Sequence, residues 1–295
     1  MELVSIVITT YNRSDKLEDA IKSATAQTYK NIEVIVVDDN ANNSEERNAT
    51  KKILKKYPEV KLIENKENIG GAESRNKGIR ESLGNYVAFL DDDDIYHKDK
   101  IEKQMKLMKI KEKEGKKVAI IYCYKNLFND NGMLDYGRKI DVEGNCLFEH
   151  MMDKMETTST WLCKKEALED VGLFENVKAH QDNILLIKLL ANKYEIYRVP
   201  EFLIDFYMHN GNGITKKNKN YIEYTKTLFD YKRKYYNLLS KKEIKQVEYK
   251  NSLILLNQYK KNNMKKDYKN ELKKLVKNNI FKFKTIKMML LYFKI

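Results

Sequence analysis

The chain is poor in proline, glycine and cysteine, with two, eleven and three residues among 295. So few prolines and glycines exclude a collagen-like segment, a Pro/Gly-rich linker and a turn-dense all-β sandwich. Cys123, Cys146 and Cys163 are odd in number and fall in no CxxC or zinc-ligand spacing. They read as reduced packing residues rather than a disulfide framework. No stretch approaches the roughly 20 apolar residues of a spanning helix, and the N-terminus carries an acid, Glu2, where a secretory leader needs positive charge. A cytoplasmic location is expected. No G-x-G-x-x-G follows the first strand and no G-x-x-x-x-G-K-[ST] occurs, which counts against a dinucleotide fold and a P-loop NTPase.

What is present is a soluble, core-forming composition: 42% apolar, 11% aromatic and 34% charged residues, with a mean hydropathy of −0.67. The net charge of +13 is unevenly spread. Residues 216–295 hold 23 basic against 6 acidic residues, a net of +17, so residues 1–215 lean acidic at −4. Two parts are expected: a folded body over 1–215 and a basic, Lys/Tyr-rich helical extension over 216–295. A nucleic-acid binder is expected to carry its basic patch on the folded body. Nucleic acid is therefore not the expected partner.

The first hundred residues alternate strand and helix. Leu3–Thr9, Ile32–Val37, Val60–Ile63 and Tyr86–Leu90 are apolar, β-branched runs, separated by a helix capped by Ser14 or Asp15 with Leu17, Ala20, Ile21 and Ala24 at helical spacing and by helical patterns over residues 44–57 and 72–83. Continuous apolar strands between helices predict a doubly wound, mostly parallel α/β sheet covered on both faces. Beyond residue 100 the pattern predicts a helix over 100–113 and strands over 118–122 and 158–163. A helix over 182–190 and strands over 195–199 and 203–207 follow, then helices from about residue 218. In such sheets ligands bind beyond the carboxyl ends of the strands, and those ends are polar here. They deliver Tyr11 and Arg13, Asp38-Asp39, Arg75 after Gly70-Gly71, and Asp91-Asp92-Asp93-Asp94.

Four adjacent carboxylates after so apolar a strand repel one another unless a cation neutralises them, and Mg²⁺ or Mn²⁺ takes carboxylate oxygens together with substrate phosphates. Asp38 and Asp39 either cap a helix or accept N–H groups of a base or ribose. Tyr11 is placed to stack on a base, and Arg75 is either a solvated helix residue or a ligand of phosphate or nucleobase. Asp182 opens an apolar helix, as an N-cap or as a general base for an acceptor hydroxyl. His209, in a glycine-flanked loop, is a surface group or a ligand for a Mn²⁺-type ion.

Six ordered segments resemble glycosyltransferase family 2, the inverting transferases with the GT-A nucleotide-sugar-binding fold. They are Ser-Ile-Val-Ile-Thr-Thr-Tyr-Asn-Arg at 5–13, Val-Val-Asp-Asp at 36–39, and Asn-Ile-Gly-Gly-Ala-Glu-Ser-Arg-Asn at 68–76. Tyr-Val-Ala-Phe-Leu-Asp-Asp-Asp-Asp at 86–94, Val-Gly-Leu-Phe at 171–174 and Gln-Asp at 181–182 complete the set. The resemblance covers about residues 3–215. It implies that Thr9, Tyr11, Arg13, Asp39 and Arg75 hold the nucleotide, with Asp92 near the ribose, and that Asp91, Asp93 and His209 hold Mn²⁺ or Mg²⁺. It implies that Asp182 deprotonates the acceptor. Two departures stand out: Gln181-Asp182 replaces the family's Glu-Asp pair, and Phe206-Tyr207-Met208-His209 lacks the arginine of its Tyr-Arg-x-His.

The resulting expectation is a metal-dependent transferase moving a sugar from a UDP-linked donor to a glycan or lipid-linked acceptor in surface polysaccharide synthesis. A sugar nucleotidyltransferase and a non-catalytic basic membrane-binding module are the alternatives. The segment after Asn279 mixes large apolar residues with four lysines and no acid. It reads either as an interfacial helix for an anionic membrane surface on the cytoplasmic side or as a helix whose Ile280, Phe283, Met288 and Leu291 pack on the helices of 220–275.

Overall fold

The computed structural model describes the chain apart from residues 130–131, 138, 153–156, 209–218, 280–282 and 293–295. The chain divides into two compact units. One comprises Met1–Leu147, Met155–Asn176 and Gln181–Gly211; the other comprises Phe148–Lys154, Val177–His180 and Asn212–Ile295.

The first unit is built on one mixed sheet. Strands β1 (Val4–Thr10), β2 (Ile32–Asp38), β3 (Lys61–Glu64) and β4 (Tyr86–Asp91) alternate with helices α1 (Ser14–Thr25), α2 (Glu45–Leu54) and α3 (Gly71–Arg80). Then come β5 (Ile95–Tyr96), α4 (Lys100–Lys113), β6 (Val118–Asn129), β7 (Gly132–Tyr136), α5 (Leu147–Met152, which belongs to the second unit from Phe148 on), β8 (Leu162–Lys164), α6 (Lys165–Asp170), α7 (Gln181–Ala191) and β9 (Glu195–Tyr207). The strand order is β3-β2-β1-β4-β8-β6-β9-β5, with β7 on β6 off this path. The first four strands are parallel; β8 runs antiparallel to β4 and β6, and β9 lies parallel to β6.

Both faces of β1 are buried, as its unbroken apolar run requires. Val4, Ile6 and Ile8 pack with Leu17, Ala20, Ile21 and Ala24 of α1. On the other face α3 approaches so closely that a Cβ at Gly78 would overlap the Val7 side chain. That close approach sets how near α3 lies to β1, and α3 carries Arg75.

Two strand expectations are corrected. Residues 158–160 form a 3₁₀ turn, and the strand starts at Leu162. Thr160 turns its amide and its hydroxyl back onto the Thr157 carbonyl at 2.9 and 2.7 Å, local bonds that compete with a ladder. The two strands expected over 195–199 and 203–207 are one, β9. Its pairing to β6 jumps from Val199 to Phe202, because Pro200 has no N–H to give the ladder and the chain bulges around it.

Lys100, the first residue of α4, is fully buried. Its ammonium lies 2.8 Å from Gln104 Oε1 and 4.0 Å from the centre of the Tyr96 ring, and among the described residues no carboxylate pairs with it. Burial pushes its pKa down from 10.5 to about 8. The unfolded chain therefore holds this proton up to higher pH than the folded one, and stability rises as pH climbs from about 8 to 10.5. Lys100→Met removes that dependence. The gain of the variant over the native chain is expected to be largest below pH 8 and to shrink by roughly 3 kcal/mol toward pH 10.5. Denaturant melts at the two ends of that window test this; a gap that does not narrow means the lysine is not held charged in the core.

The second unit is helical: α8 (Lys219–Lys234), α9 (Lys241–Lys261), α10 (Lys265–Asn279) and α11 (Phe283–Tyr292). Ser240 and Glu243 close a capping box on α9, which satisfies amides that a helix start leaves unpaired. Phe229, Val247, Leu256, Tyr259, Tyr268 and Leu275 are buried. The segment after Asn279 spends part of its surface on packing. Thr285 and Met288 of α11 are buried, Tyr249 Oη lies 3.1 Å from Thr285 Oγ1, and Tyr268 Oη donates to the Met288 carbonyl at 2.6 Å. Among the described residues no helix is long and apolar enough to cross a membrane.

Candidate active site

Parallel register brings the strand ends to one level: Thr9 lies opposite Asp91, Thr10 opposite Asp38 and Asp38 opposite Glu64. Thr9 is half-buried at this edge, and Tyr11 beyond it is 47% exposed, an open aromatic face. Asn12 turns the chain in the left-handed region, with φ 55°, which asparagine tolerates better than most residues. Its amide donates to Asn40 Oδ1 at 2.8 Å, and the Tyr11 amide donates to Asp92 Oδ2 at 3.3 Å. The turn aims Arg13 at the acidic loop.

In that loop the acids alternate: Asp91 and Asp93 are half-buried, while Asp92 and Asp94 are buried. Burial, and then the neighbouring charge of Asp93, push the Asp92 carboxyl up to about 7. Asp94, which accepts the Tyr207 amide at 3.2 Å, is held well above the usual carboxylate range by burial and by the charges of Asp91 and Asp93. Two guanidiniums answer the four acids. Arg13 lies 3.4 Å from Asp92 and also contacts the Asp93 carboxylate, and Arg75 Nη2 lies 2.5 Å from Asp91 Oδ1.

With burial holding Asp92 and Asp94 toward their protonated forms, Arg13 and Arg75 balance Asp91 and Asp93, and a divalent cation would supply the charge needed for the remaining acids to ionise. Among the described residues no three His, Cys, Asp or Glu side chains converge as a metal cage. Mg²⁺ and Mn²⁺ sites of one or two carboxylates completed by substrate phosphates need no such cage. Asp91 and Asp93 fit that chemistry, being the more open pair. His209 lies outside the described residues.

Asp38 and Asp39, equivalent in the sequence, have different surroundings. Asp38 is buried against Arg47, whose Nε lies 2.9 Å from Oδ2, and it accepts both the amide and the side-chain N–H of Asn40 at 2.9 and 2.8 Å. It is a structural acid that steadies the β2 loop. Asp39 accepts Asn65 Nδ2, the Ile69 amide and the Gly70 amide, each at 2.9 Å. Neither caps α2; Ser44 does. Arg47 was missed as a partner of Asp38. Its only signal in the sequence is its place on the buried face of α2, one and two turns before Thr50 and Leu54.

Arg75 joins the strand edge to α7. Its Nη1 lies 3.4 Å from Gln181 Oε1 while Nη2 holds Asp91. Gly70, at φ 84°, precedes α3, a backbone angle that suits glycine; a Cβ at Gly71 would come within 3.2 Å of Arg75 Nη1. Asp182, in the first turn of α7, is half-buried and accepts Asn183 Nδ2 at 2.9 Å. Asn76 is a positioning residue that residue type alone does not reveal. Its amide group pairs with the Phe174 backbone in both directions at 2.9 Å, and the Phe174 ring lies 5.9 Å below the Arg75 guanidinium. The site thus gathers Thr9, Tyr11, Arg13, Arg75 and Asp91–Asp93 on one sheet edge. Asp39 sits behind the Gly70 turn, and Asp182 follows the residue that Arg75 reaches.

A sequence model described as "Glycosyl transferase family 2" matches residues 5–172. The chain is 29% identical over 221 residues to the amylovoran biosynthesis glycosyltransferase AmsB of Erwinia amylovora, covering 73% of each protein. Staphylococcus aureus TarS 1-349, solved in complex with UDP-GlcNAc, has a similar fold, with a TM-score of 0.62 at 17% identity, over 88% of this chain and 72% of that one. The mannosyltransferase PcManGT of Pyrobaculum calidifontis, solved with GDP-Man and Mn²⁺, aligns with a TM-score of 0.60 at 16% identity, over 88% and 73%. The fold is thus that of the GT-A glycosyltransferases, and with the match covering more than half its length the chain belongs to glycosyl transferase family 2.

Proposed function

We propose that the protein is an inverting transferase that moves a sugar from a UDP-linked donor to a hydroxyl of a growing surface polysaccharide. The observation that carries this reading is Arg75, whose one guanidinium contacts both Asp91 at the acidic edge and Gln181 beside Asp182. A donor on the sheet edge and an acceptor at the start of α7 are then neighbours. Tyr11 offers a stacking face to the base, and Thr9, Arg13 and Asp92 lie on the same loop edge. Asp182 takes the acceptor proton as that oxygen bonds to the anomeric carbon; the bond to the diphosphate breaks and its electron pair leaves with the phosphate oxygen. Mn²⁺ or Mg²⁺, held by Asp91 and Asp93 with the donor phosphates, would stabilise charge on the leaving group. The part played by AmsB in amylovoran biosynthesis supports a polysaccharide product.

Asp39 favours uracil. Asp39 is buried and a carboxylate accepts about four hydrogen bonds, of which three are already taken, so it can add at most one, which matches the single N3–H of uracil and not the paired N1–H and N2–H of guanine. In a thermal-shift comparison with Mn²⁺, UDP is expected to raise the melting temperature more than GDP, because a ligand that binds only the folded state stabilises it. A larger shift with GDP overturns the choice of base. No shift with any nucleoside diphosphate overturns the donor site.

A further inference from the structure

The second unit carries 22 of the 23 basic residues after position 215 as lysine, with Arg233 the exception. They are not scattered at random on α10. Lys266, Lys269, Lys273 and Lys277 are all exposed, and their spacing of three, four and four residues places them on one side of a helix. The row is about 16 Å long at 1.5 Å per residue. The two acids of α10 lie on its other side: Asp267 is half-buried, and Glu271 is buried, accepting Ser252 Oγ at 2.6 Å. Among the described residues none of the four lysines makes an ion pair, whereas Arg233 is held by Glu248 and Asp230. An acid-free row of point charges along a straight helix is a surface for something flat and negative.

We propose that the lysine face of α10 docks the protein on an anionic membrane surface. Lysine alone, without arginine, suits diffuse attraction to phosphate headgroups rather than the bidentate reading of nucleic acid. The exposed positions of α10 are lysine and asparagine, so the face offers no aromatic ring on which a base would stack. The next helix, α11, contains Met289 and Leu291, both half-buried, apolar residues of a kind an interfacial helix uses and a purely polyanionic partner does not. Because Thr285 and Met288 are committed to packing, α11 is an accessory and α10 supplies the attraction. The inference does not depend on the transfer reaction.

The test uses the full chain, sedimented with vesicles of equal parts phosphatidylcholine and phosphatidylglycerol and with vesicles of phosphatidylcholine alone. Each lysine near an anionic leaflet is worth about a factor of five in partitioning at low salt. Lys266→Gln, Lys269→Gln, Lys273→Gln and Lys277→Gln together are therefore expected to lower it on the order of 10²-fold or more. A control removes the same charge from Lys241, Lys242, Lys245 and Lys261, all exposed and on α9; it is expected to retain most of the binding. Thermal melts of both variants should match the native chain, since only exposed side chains change. The proposal fails if the native chain does not pellet with anionic vesicles, if the α10 variant pellets as well as the native chain, or if the control loses as much as the α10 variant. Tighter binding to random-sequence duplex DNA than to the anionic vesicles would assign the face to nucleic acid and equally overturn it.

Discussion

Asp182→Asn is expected to bind the nucleotide donor as the native chain does and to turn over on the order of 10²–10⁴-fold more slowly, the usual cost of losing a general base. The substitution is nearly isosteric and keeps an oxygen for Asn183 Nδ2, which now lies 2.9 Å away, so α7 should start as before. Among the described residues Asp182 makes no hydrogen bond or ion pair with Arg13, Arg75 or the Asp91–Asp94 loop, and the donor edge has no reason to change. Gln181 is a useful contrast. It touches Arg75, so Gln181→Ala should disturb how Arg75 is held and raise KM for the donor more than it lowers kcat. Isothermal titration with the nucleoside diphosphate and steady-state kinetics separate the two. If Asp182→Asn loses donor affinity along with turnover, Asp182 belongs to the donor site or to the fold, and the acceptor proton has another destination.

How much of this was legible in the sequence depended on the kind of signal. β1, β2 and β4 are apolar runs flanked by polar ends, and each appears within a residue or so of its expected place, because burial on both faces leaves little freedom in composition; β3, at the end of the sheet order and half exposed, rests on Leu62 and Ile63 alone. The acidic edge was legible for the same reason: four charges directly after Tyr-Val-Ala-Phe-Leu contradict the strand unless they have a purpose. Asp38 and Asp39 are not separable, since nothing in their order tells that Arg47 will fold back on one and the Ile69 and Gly70 amides on the other. Asn76 carried no signal of its own either. Its role comes from a contact with Phe174, 98 residues away, and such contacts leave no periodicity. The join of β9 across Pro200 was misread because proline usually ends a strand, whereas here a bulge absorbs it.

Asp93→Ala is expected to reduce transfer on the order of 10²-fold or more while the fold survives. Removing one of four crowded carboxylates relieves repulsion, and Asp93 lies at the half-buried edge rather than in the core. Arg13 keeps a partner in Asp92, at 3.4 Å. The charge of Asp93 is, after burial, the main reason the Asp92 carboxyl stands at about 7, so its loss should let Asp92 ionise at lower pH. The folded, metal-free chain holds the Asp92 proton up to about pH 7 while the unfolded chain gives it up near 3.8, so stability contributed by that proton is present below 3.8 and is lost as pH rises through 7. Metal-free Asp93→Ala should therefore melt no lower than the native chain at pH 7.5. Binding of Mn²⁺ together with a nucleoside diphosphate has the opposite dependence. Protonation of Asp92 removes negative charge from the edge, so affinity should fall by up to about tenfold per pH unit below 7 and level off above it. In Asp93→Ala that inflection should move to lower pH, on top of a large overall loss of metal affinity. A native enzyme that keeps full activity in excess chelator, or an Asp93→Ala variant that binds Mn²⁺ with the native affinity and pH profile, would show that these carboxylates do not serve a metal, and that Arg13 and Arg75 alone carry the neutralisation of the edge.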